Sequence, residues 1–286
     1  MGLVQRLTRF TLSHWKTRAD WIQSGPRSSS AIALTFDDGP HPEQTPRLLD
    51  QLAAHNIRAT FFVIGRQALK HPQLVRRIHA EGHQIGNHTW FHHEPGRLRP
   101  LALQAEVREC RQLIQDLTGI RVSLFGPPKG ELTWAKIRAL WQQQQTIALW
   151  NIDPKDFAIA SAEEMQHWAS RYAPRGGDIV LMHDNHPWAA TAIPQLAKSA
   201  REAELSFTTL EAWVGPPKPA AAGQIIPADR SPFDSPVHPA ELVSARIPAD
   251  RSLASLASIT GERVDAVPLS SPGMERQPHL LEAPAC

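Results

Sequence analysis

The stretch Ala31–Pro42, AIALTFDDGPHP, runs an apolar strand straight into two adjacent aspartates and a Gly-Pro turn. Asp-Gly and Gly-Pro are turn dipeptides, so Asp37-Asp38-Gly39-Pro40 could be a turn and nothing more. Two like charges side by side are nevertheless costly unless something balances them. A cation, or a proton in transit, would do so. The rest of the chain has to show which.

On either side of that stretch, from residue 30 to about 214, short apolar runs alternate with helical patterns. The strands are predicted at AIALTF, ATFFVIG, HQIGNH, RVSLF, TIALWNI, DIVLMH and LSFTTL. The helices are predicted at Gln44–His55, Gln67–Glu81, Leu101–Leu117, Thr133–Gln143, Ala162–Ala173 and Ala189–Glu202. Runs rich in Val, Ile and Phe without alternation indicate strands buried on both faces. Repeated strand-helix units indicate an α/β fold with a parallel sheet or barrel. Seven strands favour a barrel-like, incomplete closure. In such folds the reactive groups gather at the carboxyl ends of the strands, where TFDD, GNHTWFH and LMHD lie.

The chain has 286 residues, 42% hydrophobic and 20% charged, enough for a sizeable core. Residues 31–215 carry nineteen Lys/Arg against nineteen Asp/Glu, which excludes a dedicated nucleic-acid surface. The head, residues 1–30, holds five bases against one acid and reads as a basic, amphipathic helical segment. It lacks the apolar run of a secretory signal, and a cytoplasmic location is expected. No stretch approaches the roughly 20 apolar residues that span a bilayer. The two cysteines, Cys110 and Cys286, are expected to be free thiols, and no Cys-x-x-Cys exists to build a thiolate zinc site. Residues 216–286 hold 12 of the 25 prolines, no Trp, no Tyr and only Phe233. That composition predicts a disordered Pro-rich tail. IPADRS occurs in it at Ile226 and again at Ile247, a repeat that could dock an unidentified protein.

The chemistry starts from GHQIGNHTWFHHEPG. His88 and His92 are spaced i, i+4, which on a helix or tight turn points both rings the same way. Two imidazoles with one carboxylate make a divalent-metal site with open positions, and Asp38 can supply the carboxylate. The His-Glu-x-x-His protease pattern is not met, because Thr89 follows His88. Asp37 would then stay free to act as a base. His183 ends another buried strand and is a general-acid candidate. Asp156, in WNIDPKDF, follows yet another strand and could orient it.

The ordered set LTFDDGP, HTWFH, FGPPKGEL, DPKDF and LMH resembles the polysaccharide deacetylases, the NodB homology domain of carbohydrate esterase family 4. The resemblance spans about Ala31 to Val214. It implies a distorted (β/α) barrel of about seven strands that removes acetyl groups from N-acetylglucosamine polymers, chito-oligosaccharide or peptidoglycan-like. It implies Asp37 as the base, His183 as the acid and Asp156 as the residue that tunes it. Asp38, His88 and His92 become the ligands of a divalent metal, zinc foremost, with cobalt or nickel as alternatives. Leu181 lines the acetyl pocket, Phe157 stands in the groove wall where the family usually has Trp, and the backbone N–H of Lys129 helps hold the oxyanion.

One position departs from the family pattern. Gly126-Pro127-Pro128-Lys129-Gly130 stands where Arg-Pro-Pro-x-Gly is usual. The resemblance makes that arginine a partner of the active-site carboxylates. Its loss predicts a weakened deacetylase, with Lys129 reaching part of the way. The rival reading is a non-catalytic carbohydrate-binding derivative of the same fold.

Overall fold

The computed structural model describes residues 19–94 and 96–215. The expected Pro-rich tail and residues 1–18 of the expected helical head lie outside the described residues. In the remainder of that head, Trp21–Ile22 forms a short strand, β1, because it finds a parallel partner in Ile147–Ala148.

From there the chain alternates strands and helices. The first half contains β2 (Ala31–Asp37), α1 (Gln44–Ala54), β3 (Thr60–Val63), α2 (Gly65–Lys70), α3 (Pro72–Ala80), β4 (Gln84–Asn87) and α4 (Pro100–Thr118). The second contains β5 (Leu124–Phe125), α5 (Trp134–Gln142), β6 (Thr146–Ala148), α6 (Ala162–Arg171), β7 (Ile179–His183), α7 (Ala189–Glu202), β8 (Ser206–Thr208) and α8 (Glu211–Val214). The expected helix over Gln67–Glu81 is two helices. Pro72 opens α3, and the residue before a proline is pushed out of helical geometry, as His71 is with φ −128° and ψ 55°.

The eight strands pair in parallel in the order β1-β6-β5-β4-β3-β2-β7, with β8 also on β2. The ring closes through a seam rather than a full strand pair. Ile152, just past β6, bridges Val180 of β7. Its N–H donates to Ile179 O at 3.1 Å, and Leu181 N–H donates to Ile152 O at 3.0 Å. Asn151 reinforces the seam by accepting from Ile179 N at 2.7 Å. The expected distorted barrel is therefore present, with one strand more than the sequence reading anticipated.

Strand alternation sorts the side chains. Leu34, Phe36, Phe61, Val63, Val180 and Met182 point outward into one cluster with Leu48, Leu49 and Leu52 of α1 and Ile193 and Leu196 of α7. Ala33, Phe62, Leu124 and Ile179 point inward and pack with Leu210, which plugs the amino-terminal end of the barrel. Phe36, Phe61 and Phe125 are fully buried, and each such side chain contributes about 1.5–3 kcal/mol. The inward sequence of β2 runs Ala33, Thr35, Asp37; that of β7 runs Ile179, Leu181, His183. The inward positions of β2 and β7 thus become ionisable, as Asp37 and His183, only where these strands reach their carboxyl ends.

His83, at the other end of β4, is buried edge-on against Phe61 with ring centroids 5.3 Å apart. Its Nδ1 accepts the Ala59 N–H at 3.1 Å. Burial lowers its pKa from the ordinary 6.5 to about 4, with Arg58 and Arg77 adding to the effect and Glu81 opposing it. Between those two values the unfolded chain binds more protons at this site, so stability is lost as pH falls from 6.5 towards 4. His83→Gln keeps an acceptor for Ala59 and should flatten the decline of the urea midpoint over that window by about one proton. An identical pH dependence in both proteins would contradict a neutral, buried His83.

Candidate active site

Asp37 and His183 are Cα partners across β2 and β7, so their side chains emerge side by side inside the barrel mouth. Asp38 follows with a left-handed φ of 75° and turns away from its neighbour. His88 leaves the end of β4 on the same inner face. Its Nδ1 donates to Gly126 O at 2.8 Å. That bond fixes the ring and leaves Nε2 aimed 3.4 Å from Asp38 Oδ1 and 3.8 Å from Asp37 Oδ2. His92 Nε2 lies 3.2 Å from the same Asp38 oxygen. The expected pairing of the two rings is present, but a loop produces it rather than a helix. Thr89 and His92 both adopt left-handed φ, 67° and 58°.

One ligand atom from each of Asp38, His88 and His92 falls within 4.8 Å of the others. Asp38 Oδ1 is buried and accepts no hydrogen bond. A ring that donates from Nδ1 presents a lone pair at Nε2, and a lone pair facing a carboxylate oxygen is repulsive without a cation or a proton between them. A carboxylate with two imidazoles also suits zinc-like divalent ions. The donor set therefore fits a divalent cation.

The two aspartates are pushed apart in acidity. Burial raises the Asp37 carboxyl to about 6, against the opposing pull of His88 and His183. Burial acts the same way on Asp38, but His88 beside it, then His92 and His183, hold its carboxyl well below the usual carboxylate range. His92 is lowered by burial, whereas His88 is raised because Asp37 and Asp38 outweigh its burial. Adjacent carboxyls with divergent acidities can divide their work, one staying ionised and the other able to take a proton.

Asp156 is wholly buried just past the seam. It accepts His183 Nδ1–H and the His183 backbone N–H, both at 2.7 Å. Burial lowers the His183 pKa, but the Asp156 bond and charge outweigh it and raise the ring to about 9. Phe157 stands edge-on to His183 with centroids 5.7 Å apart and remains 55% exposed. Leu181 shares the inner face of β7 with His183 and is buried. Lys129 lies in a short turn after β5 with φ 56°. Its Nζ reaches Glu94 at 2.7 and 2.8 Å on the exposed surface. The ammonium therefore does not approach the carboxylates, and the expected partial compensation for the missing arginine is not made.

Gly126 keeps the backbone part of its role: its N–H donates to Asn87 O at 3.0 Å while its carbonyl orients His88. A Cβ there would meet Phe62 Cδ1 and Cγ at 2.9 Å and His88 Nδ1 at 3.3 Å. Phe62 occupies the space along which a side chain at 126 would leave the backbone.

Sequence reasoning passed over two buried acids beside the site. Asp184 accepts the Thr45 hydroxyl at 2.7 Å, packs directly against Gly39, and donates its N–H to Asp37 O at 3.2 Å. Burial, reinforced by Asp38 and Asp37, raises it to about 7, with Thr45 pulling the other way. Glu106 lies in the buried stripe of α4 formed by Leu103, Val107, Cys110 and Ile114. An acid inside such a stripe was the available signal.

The parallel barrel agrees with what is found among known proteins. The family model described as polysaccharide deacetylase matches residues 24–147. A peptidoglycan-N-acetylglucosamine deacetylase of Bacillus cereus is 36% identical over 170 residues, covering 59% of this chain and 61% of that protein. A chitooligosaccharide deacetylase of Bradyrhizobium is 36% identical over 165 residues, covering 57% of this chain and 74% of that one. Among solved structures, a peptidoglycan N-acetylglucosamine deacetylase bound to 4-naphthalen-1-yl-N-oxidanyl-benzamide superposes with a TM-score of 0.66 at 28% identity, covering 71% of this chain and 95% of the other. This chain belongs to the polysaccharide deacetylase family. It spans 61% of the first of these relatives and 40% of a longer one from Listeria monocytogenes.

The packing around Gly126 yields a prediction. Gly126→Arg alone should cost about 1–3 kcal/mol of stability, because the Phe62 ring must move. Adding Phe62→Leu should recover part of that loss. Denaturant melts of the two variants test this, and a single variant as stable as the natural protein would show that the Phe62 contact yields freely.

Proposed function

We propose that this chain is a divalent-cation-dependent deacetylase that hydrolyses the acetamido group of N-acetylglucosamine units in a glycan. Support comes from the split between Asp37 and Asp38, one free to take a proton and the other facing two imidazole nitrogens. The relatives that act on peptidoglycan and chito-oligosaccharide point to the same substrate class. Asp38, His88 and His92 would hold the cation, with zinc favoured by the donor set. A cation there would supply Lewis acidity, acidifying water and polarising the acetyl carbonyl.

The chain's own groups do the rest. Asp37 takes the proton of the attacking water as its oxygen bonds to the acetyl carbon. The Lys129 backbone N–H is the donor for the developing oxyanion. His183, held protonated by Asp156, gives its proton to the amine nitrogen as the C–N bond breaks. Acetate and a free amine result. Without that proton the amine is a very poor leaving group, which is why both a base and an acid are required. Leu181 packs beside the acetyl methyl, and Phe157 walls the sugar groove. With no side chain at Gly126, no guanidinium joins His183 in fixing the active-site carboxylates, and activity below that of arginine-bearing relatives is expected.

Acetate release from N-acetylated chito-oligomer and from peptidoglycan tests the proposal. Chelation should abolish release, and added Zn²⁺ or Co²⁺ should restore it. Asp37→Asn should lower kcat by about 10²–10⁴-fold. Saturable glycan binding with no acetate under any metal would support a carbohydrate-binding derivative instead.

A second expectation concerns pH. His183 must carry its proton to act, so activity falls as pH rises through its pKa. Asp156→Asn removes the charge that raises that pKa. The alkaline limb of kcat/KM should therefore move to lower pH as well as dropping in height. An unmoved limb would separate Asp156 from the acid's titration.

A further inference from the structure

We infer that Glu106 is the positioning residue that holds the His88–His92 loop in the shape that brings His92 to Asp38. The inference rests on the reading of Asp38, His88 and His92 as a cation site. Glu106 is 1% exposed and sits among apolar neighbours on α4. A carboxylate is costly there unless its oxygens are used. Oε2 accepts the backbone N–H groups of Trp90 and Phe91, both at 3.1 Å, and Oε1 lies 3.4 Å from His93 Nε2.

Trp90 and Phe91 are the residues between the two left-handed positions, Thr89 and His92. Neither of those is glycine, so the loop holds a conformation that L-residues resist and that its surroundings must impose. Its other amides are accounted for. Thr89 N–H donates to Asn87 Oδ1 and His92 N–H to Thr89 Oγ1, both at 2.9 Å. On the opposite side, the first amides of α2 hold the loop carbonyls: Gly65 N–H donates to Thr89 O at 2.9 Å and Arg66 N–H to Trp90 O at 3.1 Å. The loop is thus clamped between α2, through its carbonyls, and Glu106, through its amides. Charge-assisted bonds to a carboxylate are the strong member of that pair. Glu106 touches neither substrate nor cation; it acts through the backbone that carries His92.

The test measures zinc affinity of the metal-free protein by competition with a chromophoric chelator, together with the visible spectrum of the Co²⁺ form. Glu106→Ala should bind zinc about 10–100-fold more weakly and change the Co²⁺ spectrum. Glu106→Gln keeps an acceptor oxygen for the two amides and should recover part of the affinity. Ile114→Val, on the same helix but away from the loop, should lower stability and leave zinc binding unchanged. Should Glu106→Ala fail to fold, Glu106→Asp, whose oxygens are drawn back by one methylene, should show the weakened binding. Folded Glu106 variants that bind zinc like the natural protein overturn the inference alone. An Ile114→Val loss equal to that of the Glu106 variants overturns it as a general softening. A natural protein that binds no zinc overturns the cation reading together with it.

Discussion

Two neighbouring carboxyls at the end of one strand, Asp37 buried and Asp38 half-buried, set the terms for everything around them. Asp37 and Asp38 cannot both be ionised in a low-dielectric pocket without compensation. The backbone separates them by putting Asp38 in a left-handed conformation, so that one faces His183 and the other faces His88 and His92. Gly39 has no side chain because the Asp184 carboxyl fills the adjoining space. The turn chemistry of Asp-Gly-Pro and the electrostatics of the pair are thus one arrangement.

Around that pair, backbone carbonyls and buried acids do the aiming. Gly126 O selects the proton position on His88, and Asp156 does the same for His183. In each case Nδ1 is committed to a bond and Nε2 is turned towards the barrel mouth. The same logic, one nitrogen anchored so that the other is available, recurs in imidazole sites of all kinds. The arginine-free third motif keeps this part of the machinery, because a carbonyl needs no side chain.

Much of this was legible in the sequence. Alternation along AIALTFD and IVLMH places Asp37 and His183 on one face, and parallel pairing puts both at the same end. The i, i+4 histidines and the ordered motifs pointed to the remaining members. What the letters concealed depends on distant partners. Nothing local marks Thr89 and His92 as left-handed, since the forces that impose this come from α2 and from Glu106. Asp184 reads as one more acid in a loop until Thr45 and Gly39 are seen against it. The Phe62 ring beside Gly126 is a packing fact between two strands, visible in neither alone. Trp21–Ile22 is too short to announce a strand and forms one only because β6 offers an edge.

The seam between β6 and β7 has a consequence of its own. Asp38 and His88 follow directly on β2 and β4, in the continuous part of the sheet. Asp156, by contrast, sits four residues past Ile152, the single bridge among the described residues that completes the ring. A breathing motion that parted this bridge would strip His183 of its anchor and spare the imidazole pair. On the proposed function, proton delivery and ion retention would therefore be mechanically separate, and a molecule loosened at this joint would stay loaded yet idle.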